Sequence, residues 1–326
     1  MTTPSTSDAD SDPVSDNGPG PDRADPGLGA VMRERRRLIN LGYRLLGSLA
    51  DAEDVVQETY VRWYALTAEE QQAIASPGAW LTTVTSRICL NQLASARVRR
   101  ETYVGEWIPE PVPEPTEWAA GRPGADPAER ITLDESVTMA FLVVLDAMTP
   151  AERVAFVLHD VYGYPFAEVA EVVGRTPAAC RQLASSARRR IRAAGPLTGP
   201  SAAQAGIVRE FKAAWAAQDI EALIGLLDPD AVATADGGGL VVTYVHPIVG
   251  GVQIAYTYAE LAGVIGGRTT FVECTVNGLP GLAARQEGRT VSVFAFEVAG
   301  GRIRHIWTVA NPEKIRPWQS AGERRA

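Results

Sequence analysis

Phe166-Ala167-Glu168-Val169-Ala170-Glu171-Val172-Val173-Gly174-Arg175-Thr176-Pro177-Ala178-Ala179-Cys180-Arg181-Gln182-Leu183-Ala184-Ser185-Ser186-Ala187-Arg188-Arg189-Arg190 reads as a short helix, a tight turn and a second helix loaded with arginine. Val169, Val172 and Val173 share one face of the first helix, and Gly174 supplies the residue with positive φ that ends it. Thr176 offers an oxygen to cap the next helix, and Pro177 occupies its first turn, where no N–H is missed. Along the second helix Cys180, Ala184, Ala187 and Ile191 recur at helical spacing. Arg181, Gln182, Ser185, Arg188 and Arg189 point the other way. A helix pair with a small turn and a cationic second helix is the helix-turn-helix pattern, whose second helix enters the DNA major groove. Taken alone, the same pattern also describes a solvated basic helix of some all-α domain.

The chain around it has 326 residues and a net charge of −8. Its length accommodates two or three domains. Global acidity argues against nucleic acid, but the distribution does not. Residues 31–100 carry ten arginines against seven acids, while 1–30 and 101–131 are each at −5. Acidic spacers thus flank helices on which arginines cluster. No apolar run is long enough to span a membrane, and the N-terminus has no secretory signal pattern. Cys89, Cys180 and Cys274 lie far apart and in no metal-binding spacing, so they read as buried thiols of a cytoplasmic protein. With His159, His246 and His305 as the whole histidine complement, no metal, cofactor or catalytic set is expected.

Six segments follow from composition and periodicity. Residues 1–27, rich in Asp, Ser, Pro and Gly, read as a disordered tail. Residues 28–100 are helical: Leu38, Leu41, Leu45 and Leu46 mark one helix, and Asp51 is placed to cap a second. That helix carries Glu53, Asp54, Gln57 and Glu58 as an acidic and amide patch opposite Val55, Val56, Tyr60 and Trp63. A further helix from Trp80 bears hydroxyls and Arg87 and ends in Arg97, Arg99 and Arg100, residue types suited to unstacked bases and phosphates; Trp80 is equally a core residue. Residues 101–131 are a Pro- and Glu-rich linker containing Trp107-Ile108-Pro109-Glu110-Pro111, either a spacer or a docked peptide. Residues 132–196 read as four helices, with Thr149 and Glu152 at capping-box spacing. Residues 197–318 become α+β: two helices, then strands at Val232–Ala235, Leu240–Val245, Thr269–Val276, Gly281–Ala284, Thr290–Val298 and Arg302–Val309, a curled sheet closing into a cone. Residues 319–326 form a tail.

Three motifs in this order resemble the bacterial extracytoplasmic-function RNA polymerase sigma factors: Asp51-Ala52-Glu53-Asp54-Val55-Val56-Gln57-Glu58, Pro77-Gly78-Ala79-Trp80-Leu81, and Leu145-Asp146-Ala147-Met148-Thr149-Pro150-Ala151-Glu152-Arg153 leading into the helix-turn-helix. The resemblance implies two all-α sigma domains, 28–100 and 132–196, and promoter-specific initiation with core RNA polymerase. It assigns Asp51, Glu53, Asp54, Gln57 and Glu58 to the clamp of the largest subunit, with the flap region as a second polymerase contact. Trp80, Arg87, Arg97, Arg99 and Arg100 fall to the minus-ten element, and Arg181, Gln182, Ser185, Arg188 and Arg189 to the minus-thirty-five element. Further C-terminal, Trp107-Ile108-Pro109, Asp236-Gly237-Gly238-Gly239 and Asn311-Pro312-Glu313-Lys314 look like the signatures of the sigma-J-type subgroup. That subgroup carries a SnoaL-like domain of the nuclear transport factor two-like superfamily. The implied role of these residues is regulation in cis, with no separate anti-sigma factor required. Two departures stand out: Leu240 where the subgroup usually has Lys, and Ser186 where an Arg is common. A cone of this type also leaves room for a small-molecule ligand. Catalysis would need a base, for which Asp236 and His246 are the titratable candidates, yet Asp236 before three glycines reads better as a turn or linker contact. The competing whole-chain reading, a stand-alone helix-turn-helix regulator that senses a ligand, leaves the acidic patch without a role.

Overall fold

The structure, a computed structural model, describes residues 26–100, 103–113, 137–195 and 201–323. Of the expected tail over residues 1–27, residues 1–25 lie outside the described residues and Pro26 already opens the first helix; the linker beyond Pro113 is likewise outside them. The first unit is α1 (Pro26–Leu46), α2 (Leu49–Tyr64), α3 (Ala68–Ala73) and α4 (Pro77–Arg100). The second is α5 (Met139–Asp146), α6 (Pro150–Phe156) continued by a π-turn over Val157–Val161, α7 (Phe166–Val173) and α8 (Pro177–Ala194). Local chemistry sets these boundaries. Thr149 and Glu152 form a reciprocal capping box at α6, Gly174 ends α7 at φ 68°, and Thr176 accepts from the Ala179 N–H to start α8. Asp51 is not the cap of α2 as expected: Ser48 holds that position, its hydroxyl accepting from the Asp51 N–H. Asp51 sits within the first turn, still favourable at the positive end of the dipole.

The two helical units share one core. Leu41, Leu45, Ile88, Cys89 and Leu93 of the first pack in a single cluster with Phe141, Leu145, Val154, Val169 and Cys180 of the second. Buried Arg153 ties them further, donating to the Leu45 carbonyl at 2.8 Å while paired with Asp146 at 2.8 Å.

The third unit has α9 (Ala202–Ala216), α10 (Ile220–Leu226), β1 (Leu227–Asp236), β2 (Ile248–Val249), α11 (Gly251–Ile265), β3 (Thr269–Val276), β4 (Leu279–Gln286), β5 (Arg289–Ala299), β6 (Arg302–Val309) and α12 (Arg316–Glu323). The sheet order is β2-β1-β6-β5-β4-β3, antiparallel except for the parallel β1–β6 pair. Side chains alternate between its faces, as a period of two requires. Leu282, Ala284, Phe294, Phe296 and Ile306 face the helices inside the cone. Ala283, Val293, Ala295 and Trp307 face outward, into a second core with Ile108 of the linker, Met139 of α5, Ile315 and Trp318. A sheet apolar on both faces is one that must be covered on both, and here the outer cover is the linker, α5 and the C-terminal segment.

Three expectations change. Leu240–Val245 is a loop, not a strand: it has no partner among the described strands, and Val242 is fully exposed. Residues 251–265 form a helix that the sequence reading passed over. The end of the chain is helical through Glu323, with Trp318 buried, where a tail was expected from residue 319.

Candidate DNA, polymerase and linker interfaces

The linker is a docked peptide. Gly47, at φ 72°, turns the chain between α1 and α2 and leaves room for Trp107, whose ring a Cβ there would meet at 2.7 Å. The Glu110 N–H donates to the Gly47 carbonyl at 2.8 Å, and the Glu110 carboxylate accepts from the Leu49 N–H at 2.8 Å, the first turn of α2. Burial pushes the Glu110 pKa up to about 7, although backbone donors at Leu49 and Ala50 pull it down.

From the other side the linker meets the cone. Fully buried Asp236 accepts from Tyr103 Oη at 2.6 Å, from the Ile108 N–H at 3.0 Å and from the Gly238 N–H at 3.0 Å, and pairs with Lys314 Nζ at 2.7 Å. Lys314 also donates to the Ile108 carbonyl and lies 4.1 Å from the centre of the Trp107 ring. Asn311 donates to Tyr103 Oη at 2.9 Å, and its carboxamide packs against Gly238, φ 65°, so closely that a Cβ there would overlap it. The Glu313 N–H donates back to Asn311 Oδ1, while Pro312 lines the cone's cavity. Trp318 Nε1 donates to the Pro111 carbonyl at 2.8 Å. The regulatory set read from sequence (Trp107, Ile108, Pro109, Asp236 to Gly239 and Asn311 to Lys314) is thus largely brought together. Asp236 faces the linker rather than the cavity, and His246 is exposed, so neither candidate base reaches the cavity wall.

Sequence reasoning missed the residue at the junction. Asn277, read as half of a hairpin turn, donates through Nδ2 to Tyr43 Oη at 2.7 Å and to the Val137 carbonyl at 2.9 Å. Its Oδ1 accepts from the Val112 N–H at 3.1 Å, and Tyr43 Oη donates to the Glu110 carbonyl at 2.7 Å. One amide therefore joins both helical units, the linker and the sheet. The signal available in the sequence, Asn-Gly between strands, specifies φ > 0 but says nothing of long-range partners.

On α8, Arg181, Gln182 and Arg189 are exposed and Ser185 is half-buried. Arg181 lies 5.6 Å from the centre of the Phe166 ring. Arg188 is not an unengaged reader: its guanidinium pairs with Asp160 at 2.6 Å. Gln182, Leu183 and Ser186 line a cleft against Leu90, Asn91 and Ala94 of α4, so part of the face that the sequence assigns to DNA looks at the first unit. Arg87 is likewise engaged, donating to the Glu171 carbonyl at 3.0 Å. Trp80 is half-buried and edge-on to Trp63 at 5.2 Å; packing holds the ring, and it is not displayed as a stacking platform. The side chains of Arg97, Arg99 and Arg100 lie outside the described residues.

On α2 the face away from the core carries Asp54, Gln57 and Glu58, with Asp51 exposed and Glu53 half-buried beside them. Glu58 pairs with Arg62 one turn on. The same stripe continues through Val61 and Tyr64, 69% and 53% exposed, an apolar extension that the sequence reading did not single out. An acidic edge with a bare valine and tyrosine on a capped, well-packed helix is suited to a basic and partly apolar partner.

The chain matches the models of Sigma-70 region 2 over residues 30–99 and Sigma-70 region 4 over residues 138–191. It is 38% identical over 300 residues to the ECF RNA polymerase sigma factor SigJ of Mycobacterium tuberculosis, covering 86% of this chain and 90% of that protein. It is also 32% identical over 295 residues to a probable ECF sigma factor, SigI, of the same organism, covering 90% and 96%. The crystal structure of M. tuberculosis SigJ superposes with a TM-score of 0.68 at 36% identity, over 89% of this chain and 98% of that one. With the capped acidic helix, the helix-turn-helix and the cone now in place, the chain belongs to the extracytoplasmic-function RNA polymerase sigma factors of the SigJ type, which bind core RNA polymerase and direct promoter-specific initiation.

Proposed function

We propose that the C-terminal cone restrains this sigma factor in cis by clasping the linker, and that promoter recognition requires the clasp to yield. One observation carries this reading: buried Asp236 gathers Tyr103, Ile108 and Lys314 around a single carboxylate. Elements at minus ten and minus thirty-five lie roughly 25 base pairs apart, about 85 Å of B-form DNA. Helical units that share a core, with Gln182 facing α4, do not span that distance. Opening must therefore separate α4 from α8 and release Arg87 and Arg188 to the DNA.

In this reading Asp51, Glu53, Asp54, Gln57 and Glu58, extended by Val61 and Tyr64, dock on the polymerase clamp, and the second helical unit meets the flap region. Arg181, Gln182, Ser185, Arg188 and Arg189 read the upstream element. Arg87 and the arginines at the end of α4 follow the downstream one. The chain acts where polymerase acts, in the cytoplasm, as an initiation factor rather than an enzyme. A separate anti-sigma factor is not needed, because the restraint is covalently attached.

Promoter-dependent run-off transcription with core polymerase tests the proposal. Lys314→Met, which breaks the clasp, should raise transcript yield several-fold while leaving the melting of the helical units unaltered. A yield equal to that of the parent protein would remove the clasp from regulation.

A further inference from the structure

The cone encloses a cavity of about 1170 Å³ that the linker contacts leave unused. Its wall is aromatic: the Trp215 ring lies 4.2 Å from Phe271 and 5.3 Å from Phe294, centre to centre. On one side three hydroxyls run in a chain, with Tyr244 Oη 3.4 Å from Tyr258 Oη, and Tyr258 Oη 3.3 Å from Thr308 Oγ1. Tyr244 also reaches the Thr308 hydroxyl, so the three form one cluster, any member of which can turn its O–H to a guest's oxygen. Burial raises the pKa of both tyrosines, which keeps these donors protonated. No Asp, Glu or His lines the cavity among the described residues, and Arg289 is its one fully charged group. Such a wall holds an apolar molecule by one oxygen and has no acid–base pair to turn it over. Exposed Val241 and Val242 stand at its edge.

The same cavity touches the clasp. Pro312, Ile315 and Gln319 form part of its wall, and they belong to the segment whose Lys314 and Trp318 hold the linker. A guest packed against Pro312 and Ile315 gains that contact only while the segment is seated, which is the condition for thermodynamic coupling.

We infer that the cone is a receptor for an uncharged, largely apolar small molecule bearing one hydrogen-bond-accepting oxygen, and that occupancy tightens the hold on the linker. The second half of this inference rests on the clasp reading above. Nile red, a neutral dye with a ring carbonyl, serves as the probe on the full chain. Its fluorescence should report one saturable site. Ser292→Trp, which fills the cavity from β5, and Tyr244→Phe, which keeps the ring but removes the hydroxyl, should each weaken it, the latter about three- to tenfold. Saturating dye should slow hydrogen exchange at the Ile108 amide, and by reciprocity Lys314→Met should weaken dye binding by the factor by which dye tightens docking. No saturable site, or equal affinity in both cavity variants and the parent, overturns the receptor. Exchange at Ile108 that ignores the dye overturns the coupling. Neither result touches the clasp itself, which stands or falls on transcription by Lys314→Met without dye.

Discussion

Replacing Asn277 by glycine isolates the junction of the whole assembly. The residue sits at φ 51°, a conformation that glycine adopts without strain, so the β3–β4 turn survives the change. What disappears is a buried amide with three hydrogen bonds. Tyr43 keeps its own bond to the Glu110 carbonyl, but the Val112 N–H loses its side-chain acceptor and the Val137 carbonyl its donor. Each buried group left unsatisfied costs about 1–3 kcal/mol, so undocking should become easier by roughly 3 kcal/mol, or about a hundredfold in the docking equilibrium. The shared helical core and the core inside the cone are untouched, so the effect should appear as local opening rather than global unfolding. Hydrogen exchange of the full chain reads this directly. The amides of Ile108, Glu110 and Val112 should lose protection, while those of Leu41 and Leu45 in the helical core and Phe294 in the cone should not. Linker protection within about twofold of the parent protein would refute the reasoning, because an amide that binds three partners and contributes nothing is incompatible with its burial.

Glu110 makes docking depend on pH. Its carboxyl is pushed up to about 7 by burial, so the docked form binds a proton more readily than the released form. The contribution is fully present below the ordinary carboxylate range and is lost as pH rises through about 7, with a slope of at most about 1.4 kcal/mol per pH unit. Linker exchange corrected for intrinsic rates should accelerate as pH rises from 4.5 to about 7 and level off above it, at a slope bounded by that figure, and Glu110→Gln should flatten the profile. At Gly47, alanine would strain a positive φ and strike Trp107 at 2.7 Å; Gly47→Ala should release the tryptophan, seen as a red-shifted and more quenchable emission, at a cost of about 1–3 kcal/mol. Val61→Glu on the exposed end of α2 should leave the melting temperature within error, yet weaken core polymerase binding several-fold in a pull-down or anisotropy titration. Arg181→Ala should cost about 1–3 kcal/mol at the upstream element if it reads a base, whereas Arg189→Ala should lower the salt dependence by about one ion; both are measured with holoenzyme on promoter fragments.

Much of this molecule was legible from local chemistry. The helix-turn-helix, the capping box at Thr149 and Glu152, the left-handed Gly174 and five of the six expected strands depend on neighbours in sequence, and they stand where periodicity and cap chemistry put them. The errors share a cause. Leu240–Val245 has β-propensity but found no partner strand, and propensity without pairing makes no strand. Residues 251–265 lack the polar spacing that announces a helix, because Ile254, Ala255, Tyr258 and Ala259 face the cone while Val252, Tyr256 and Val264 are exposed. Ser48 took the cap expected of Asp51, a shift within the uncertainty of a helix boundary. Trp80 and Arg188, assigned to DNA by the sequence reading, here contact Trp63 and Asp160, partners that spacing along the chain does not announce.

By itself the sequence determined most of the helices and strands, the linker and the motifs that mark a sigma factor, because these follow from contacts within a few residues of the chain. Only the tertiary structure decided that the two helical units share a core, that the linker is seated, and that Asp236, Lys314 and Asn277 converge on it. Those contacts join residues as far as 234 positions apart. They depend on the burial of apolar faces and on satisfying each polar group carried inward with them, and no local pattern encodes which distant partner will satisfy it.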